Sequence, residues 1–444
     1  MKKIYFSFVF LLLTIVLIAC GGNGATESGE EAEEVVTVGD NIEGASELTF
    51  WTFAGTHADF FEDAAIRWNE EFPDNPIQFT AETYPFDQMH NNLTLALQSG
   101  QGAPDMVDIE IARFPNFLQG EIQLEPLNDL IEPEIDNFIT ERLDMYSHEG
   151  QYYGAPTHLG ATVVYYNTAI MEEAGVDIDK IITWDDYVEA GIQVTENTGV
   201  PMTTIAENWY GIWPFVRQSG SDFFDDNGDL TLDSAENIEA LQFVADLVIE
   251  HEIADVTPGG HYHSEEFFGF MNGGGQASLI APTFYMNEFM VNMEDLDGNI
   301  EMRPLPEWPG SDTRSVAMGG TGTTVTNQAE DVELAKDFLA YAKLTEEGNI
   351  ALWTQLGFDP PRWDVWDSEE IREDNDFYRY FHDDIFDILL DIRDDVVGVH
   401  MTPYTPDVLE EIDSNIMFNV LRQQSQTPEE ALQQATESVR AIMD

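Results

Sequence analysis

Between residues 47 and 111 two hydrophobic periods alternate, and this alternation restricts the fold more than any other feature of the chain. "ELTFWTF" is a β-rich apolar run. In "ADFFEDAAIRWNEEF", Phe61, Ala64, Ala65, Trp68 and Phe72 recur at helical spacing. "IQFTAE" reads as a strand. "DQMHNNLTLALQSG" reads as a helix with Met89, Leu93, Ala96 and Leu97 on one face and Gly100 as its stop. "PDMVDIEI" closes the series as a third strand. A β-α-β-α-β order predicts a parallel sheet with right-handed crossovers, and ligands of such sheets sit beyond the carboxyl ends of the strands. Those ends are "WTFAGTH" and "IEIARF".

A second unit is expected from about residue 160. "ATVVYY", "QASLIAP" and "GTGTTVTN" read as strands, and "ITWDDYVEAGIQV" as a helix. "DSAENIEALQFVADLVIE" puts Ile238, Leu241, Val244, Ala245 and Val248 on one face, and "DVELAKDFLAYAKL" does the same through Val332, Ala335, Phe338, Leu339 and Ala342. "TPEEALQQATESVRAIM" opens with Thr427 as N-cap, Pro428 behind it and Glu430 three residues past the cap. A chain of 444 residues is too long for one compact core, so at least two lobes are expected.

The N-terminus reads as an export signal. Lys2 and Lys3 precede an apolar run, 4–19, which is short for a membrane span. Cys20 follows it between Ala19 and Gly21, and it is the single cysteine of the chain. That excludes an intramolecular disulfide framework and a thiol cluster for a metal. Residues 21–46 are Gly- and Glu-rich and read as a flexible spacer. Lys and Arg total 17 against 85 Asp and Glu, a net charge of −68. Such a field repels nucleic acid and anionic headgroups. The excess is spread over the whole chain, and it reads as adaptation of an exported protein to high salt, alkaline pH or both, a haloalkaliphile's composition.

Leu17-Ile18-Ala19-Cys20 resembles the lipobox of bacterial lipoproteins, in which the cysteine carries acyl chains. The body resembles the extracellular solute-binding lipoproteins of carbohydrate ABC importers (family 1), with a fold similar to maltodextrin-binding protein. The landmarks, in order, are "LTFWTFAGTH", "GAPDMVDIEIARF", "GQYYGAPTHLGATVVYYNTAIMEEAG", "FFGFMNGGGQASLIAPTFY" and "GGTGTTVTNQAEDVELAKDFLAY". The resemblance implies a type II two-lobe α/β fold with a ligand cleft between lobes joined by hinge strands. It implies a signal peptide at 1–19, a lipidated Cys20 with an acidic linker to 46, an N-terminal lobe of 47–157 plus 329–390, and a C-terminal lobe of 160–326 plus 400–444. It further implies a monomer that captures a sugar and docks on transmembrane permease subunits, with no cofactor and no catalysis.

A sugar offers flat C–H faces and a rim of hydroxyls, matched by aromatic plates, carboxylates, amides and Arg forks. Trp51, Thr56 and His57 follow or end the first strand; Trp51 fits a core position equally well, and His57 a solvated loop. "AENWYGIWPF" resembles the family's cleft segment, which implies Glu207 as hydroxyl acceptor and Trp209 as stacking plate, with Trp213 packed inside. By the same resemblance Glu110 and Arg113 contact ligand after the third strand; a surface ion pair is the plain alternative. Phe284 and Tyr285 follow Ala-Pro, although Thr283 stands where the family has Trp. Gly319 and Gly320 permit close backbone approach or a simple turn. Arg362 and Trp363 are rim candidates.

"DDNGDLTLDSAE" sets Asp225, Asn227, Asp229, Asp233 and Glu236 at calcium-loop offsets, but Leu230 stands where that loop needs Gly. A turn followed by a helix capped by Asp233 fits the same residues. His261, His263 and Glu265 form a weaker metal trio. No Gly-x-Ser-x-Gly elbow, P-loop or His-Glu-x-x-His is present. Two other functions suit the composition: a secreted glycoside hydrolase with one carboxyl pair, and a binding protein for a non-sugar solute such as a polyamine.

Overall fold

The computed structural model describes residues 32–381 and 385–443. The expected signal peptide, 1–19, and Cys20 lie outside the described residues. The first alternation forms β1 (Glu34–Val38), β2 (Ser46–Thr52), α1 (Gly55–Glu71), β3 (Ile77–Thr83), α2 (Phe86–Ser99) and β4 (Met106–Glu110). In β3 the period-2 pattern buries Ile77, Phe79 and Ala81 on one face. Gly100 takes the left-handed conformation, φ 73°, that ends α2. The sheet order is β1-β3-β2-β4, followed by Thr321–Val325 and Ala155–Pro156. β2 is parallel to β3 and β4, as expected, while the two outer pairs toward 321–325 and β1 are antiparallel.

The helices cover opposite faces. Phe60, Phe61, Ala64 and Trp68 of α1 pack with Leu48, Phe50 and Phe79, the Phe50 and Phe61 rings 4.5 Å apart. Met89, Leu93 and Leu97 of α2 pack with Val107 and Ile109. Each buried Phe, Leu, Ile, Val or Met among them contributes roughly 1.5–3 kcal/mol. The chain leaves β2 to one side for β3 and returns on the other for β4. The connections thus diverge at β2, and a crevice opens beyond the carboxyl ends of β2 and β4.

One expectation changes here. The spacer does not run unstructured to residue 46, because "EVVTV" pairs antiparallel with β3 from Glu34↔Thr83 to Val38↔Phe79. Val36 and Val38 pack on the sheet while Val35 stays exposed, so a half-buried edge strand sits inside an acidic stretch.

The second half is built on an antiparallel sheet in which Thr162–Asn167 lies between Ser278–Pro282 and Ile300–Pro304. Its helices begin on side-chain caps. Thr183 and Asp186 form a capping box for Trp184–Thr198, and Thr427 and Glu430 form one for Pro428–Met443. The cap of Ala235–Ile249 is Ser234, which accepts from the Asn237 amide, rather than the expected Asp233.

Segments 155–162, 316–323 and 357–362 lie side by side between the two sheets. The Thr157 amide donates to Thr321 O, the Met318 amide to Gly160 O and the Leu159 amide to Asp359 O. Buried Asp359 accepts from the Gly160 and Ala161 amides at 3.0 and 2.8 Å, and buried Arg142 donates to the carbonyls of His158 and Gly319. The packing differs from the expected lobe boundaries in two places. Thr321–Val325 pairs within the first sheet, and Trp366, Phe377, Phe381 and Phe386 pack with Tyr165 and Phe289 of the second half. These aromatic residues carry no sequence mark of which core they enter. Among the described residues, no helix is long and apolar enough to cross a membrane.

Candidate functional site

A cavity of about 1060 Å³ opens at the crevice beyond β2 and β4. Its first wall comes from the strand ends and the helices behind them: Phe53, Ala54, Thr56, His57, Phe86, Glu110, Ala112 and Arg113. Phe53 and Phe86 meet edge to face at 5.0 Å, and the Arg113 guanidinium lies 5.7 Å from the Phe86 ring centroid. Arg113 Nη2 also donates to Asp87 at 3.1 Å.

His57 is held from below. Its Nδ1 lies 2.8 Å from Asp108 Oδ2, and Asp108 accepts further from Thr52 and Thr323. Asp108 is buried in mid-strand; burial alone would raise its carboxyl, but His57 and Lys343 outweigh that and hold it below the usual carboxylate value. Lys343 reaches the same network from beneath, donating to Thr323, Thr157 and the Ala155 carbonyl, and burial lowers its amine to about 7. Glu110, at the end of β4, accepts from the Ala112 amide at 2.8 Å. Burial pushes its carboxyl up to about 7, against the pull of that amide and of Arg113.

The opposite wall is aromatic and acidic. Asn208 caps a short turn over Trp209–Gly211 by accepting from the Tyr210 amide. Trp209 stacks on Tyr210 with centroids 3.8 Å apart at 18°, and Tyr210 is buried while Trp209 stays partly exposed. Tyr210 Oη lies 3.2 Å from His263 Nε2, and His263 Nδ1 lies 3.5 Å from Glu288. Phe284 and Asn287 stand beside them. The helix Thr405–Glu411 and the π-helical turn Ile412–Ile416 behind it add Asp407, Glu410, Asp413 and Ser414. His158, Gly319, Gly320, Thr321 and Phe358, on the three crossing segments, complete the lining. Gly320, at φ 135°, passes so close to Arg142 that a Cβ there would stand 1.7 Å from Nη2.

The cavity therefore gathers Thr56, His57, Glu110, Arg113, Trp209, Phe284, Gly319 and Gly320 of the expected residues. It leaves out five. Trp51 points to the face of β2 opposite Phe50 and meets Tyr84 edge-on at 5.4 Å. Glu207 turns away and forms a two-point ion pair with Arg422, so Asn208, one residue on, faces the cavity instead. Tyr285 is buried and donates to the Tyr262 carbonyl. Arg362 binds Asp364, Glu134 and the Leu344 carbonyl, and Trp363 packs on Trp366. Sequence reasoning missed Phe53, Phe86, His158, Tyr210, His263, Glu288, Phe358 and the whole Thr405–Ser414 wall. Phe53 stands in "WTFAGTH", Tyr210 in "AENWYGIWPF" and His263 in the weaker metal trio, so these three carried a local signal.

In "DDNGDLTLDSAE", Asp225 accepts from the Asn227 and Asp229 amides, a closed turn, and Asp233 lies 3.5 Å from Arg440. Among the described residues no three His, Cys, Asp or Glu side chains converge as metal ligands, neither there nor at His261, His263 and Glu265.

A family model described as bacterial extracellular solute-binding protein matches residues 54–349. The chain belongs to that family. Its members are substrate-binding components of transporters, so this solute-binding protein is not an enzyme, and the hydrolase alternative is set aside. It is 58% identical over 441 residues to the arabinooligosaccharide-binding protein of Halalkalibacterium halodurans, covering 99% of this chain and 98% of the relative. It is 42% identical to the arabinooligosaccharide-binding protein of Bacillus subtilis, covering 98% of both. Two solved structures share its fold. The first is an ABC transporter associated binding protein from B. animalis subsp. lactis in complex with β-1,6-galactobiose, with TM-score 0.74 and 18% identity over 89% of this chain and 97% of that one. The second is the GacH receptor of Streptomyces glaucescens, with TM-score 0.73 and 19% identity over 90% and 98%. The fold is the two-lobe type II α/β architecture.

Proposed function

We propose that this protein captures arabino-oligosaccharides outside the cytoplasm and delivers them to the permease of an ABC importer, tethered to the membrane through acylated Cys20 as a monomer. The observation that carries the reading is the cavity itself. Its 1060 Å³ exceeds the needs of a simple ion, and it sets aromatic plates at Trp209, Phe284 and Phe53 beside carboxylates, an amide and imidazoles. The two relatives that match nearly the whole chain at 58% and 42% identity are both named for that ligand class. His57, Glu110, Arg113 and Trp209 are the residues we assign to ligand contact, with Thr56, Phe284 and the Gly319–Gly320 backbone beside them. The two halves close on the sugar about the crossing segments, and the closed form is the one the permease accepts.

The test is thermal shift and calorimetry on the protein with arabino-oligosaccharides of increasing length, arabinose, galacto- and malto-oligosaccharides, and spermidine. At 100-fold the dissociation constant, the true ligand adds about 2.7 kcal/mol of stability. A shift with arabino-oligosaccharides that remain intact on chromatography supports the reading. A shift with spermidine alone overturns it.

A further inference from the structure

His158 is only 4% exposed, yet it borders the cavity. It sits on the first crossing segment, its carbonyl taken by Arg142. Its ring is gripped by Phe284 at 4.9 Å and Phe358 at 5.1 Å. Among the described residues neither ring nitrogen has a hydrogen-bond partner, and Nδ1 is wholly buried. Buried side-chain polar atoms in folded proteins are mostly satisfied, so an orphan on a ligand cavity calls for a reason. The other buried histidines among the described residues have theirs. His90 pairs with the Phe86 carbonyl and the Glu110 amide, and His57 with Asp108.

The two edges of the His158 ring differ. The Nδ1–Cε1 edge faces Gly160, where an added Cβ would stand 3.1 Å from Nδ1, so no acceptor reaches that side. Burial, with Arg142, His57 and Lys343 close by, holds the ring well below the usual imidazole value and therefore neutral. A neutral imidazole carries one proton. With no acceptor at Nδ1, the proton belongs on Nε2, the nitrogen left to the cavity side.

We propose that His158 is a ligand-contacting residue that donates a hydrogen bond from Nε2 to an oxygen of the bound sugar, with Phe284 and Phe358 fixing the ring for that contact. This rests on the sugar-binding reading above. It makes His158 a specificity element, because a solute without an oxygen at that point leaves the donor buried and unmet.

The test uses the full chain and two variants, His158→Phe and His158→Gln. Phe keeps a flat ring without nitrogen, and Gln carries an amide N–H near the position of Nε2. Calorimetry first identifies the arabino-oligosaccharide that the unmodified protein binds. His158→Phe is expected to bind it about ten-fold more weakly, His158→Gln within about three-fold of the unmodified protein. The melting temperature without ligand is expected to stay level or rise in His158→Phe, since that change removes an unmet polar atom. Undiminished affinity in His158→Phe overturns the proposal. So does a loss of unliganded stability in both variants with affinity falling equally in both, which marks a packing residue. Failure of the unmodified protein to bind any sugar overturns the sugar reading, and the proposal with it, before any variant is measured.

Discussion

Glu110→Gln gives a pH-dependent gain in stability whose sign follows from the site. Glu110 lies at the carboxyl end of β4 with its carboxyl raised from 4.5 to about 7 by burial. Between these values the folded protein holds a proton that the unfolded chain releases. Stability from this group is therefore full below about pH 4.5, declines as pH rises to about 7, and stays reduced above that. The gap corresponds to about 3 kcal/mol at full burial. The Glu110 side chain is partly exposed on the cavity, so solvent screening makes about 1–3 kcal/mol the working figure. Gln is neutral throughout, and its Oε1 accepts from the Ala112 amide as the carboxyl does. Thermal unfolding of the unliganded protein from pH 4 to pH 9 is the assay. The two proteins should match near pH 4, and the variant should melt about 1–4 °C higher at pH 9. A difference of equal size at both pH values, or none at pH 9, would refute the reasoning.

Three further outcomes follow from the same structure. Trp209→Ala removes the plate stacked on Tyr210, and ligand affinity should fall about 10- to 100-fold by calorimetry; an unchanged affinity places the sugar elsewhere in the cavity. Gly320→Ala adds a Cβ at φ 135° 1.7 Å from Arg142 Nη2 and should cost about 3 kcal/mol in denaturant unfolding, while Gly44→Ala, with open space around it, should cost about 1 kcal/mol or less; equal costs remove the clash as the cause. With a net charge of −68, the melting temperature should climb steeply from low to molar NaCl, and a flat profile would show that self-repulsion does not limit stability.

Much of the first sheet and part of the site were legible because they depend on local pattern. The apolar periods of 47–111 mark strands and helices directly, and the crossover rules then order them, so Thr56, His57, Glu110 and Arg113 could be placed at strand ends before any contact was known. Glu207 and Asn208 mark the limit. They are neighbours on one turn, and the partner that draws Glu207 away, Arg422, lies 215 residues later. The same holds for Trp51, whose alternation with Phe50 leaves open which face of β2 meets the cavity. The acids of 405–414 carry no motif, and His158 lies in the "GQYYGAPTHLG" landmark with nothing there to mark its ring as a site group; both join the site through long-range packing.

The sequence by itself determined the two-lobe α/β class, the helix cap at Thr427, the acidic surface and the strand ends that bear the site, because backbone period, capping and net charge act over a few residues or over all of them. Only the tertiary structure decided which side chains share the cavity. It also made β1 an edge strand, carried Trp366, Phe377, Phe381 and Phe386 into the second core and left the His158 ring nitrogens without a hydrogen-bond partner among the described residues. Those outcomes depend on which distant groups compete for each polar atom and each apolar face, and such a competition is resolved only when the chain is packed.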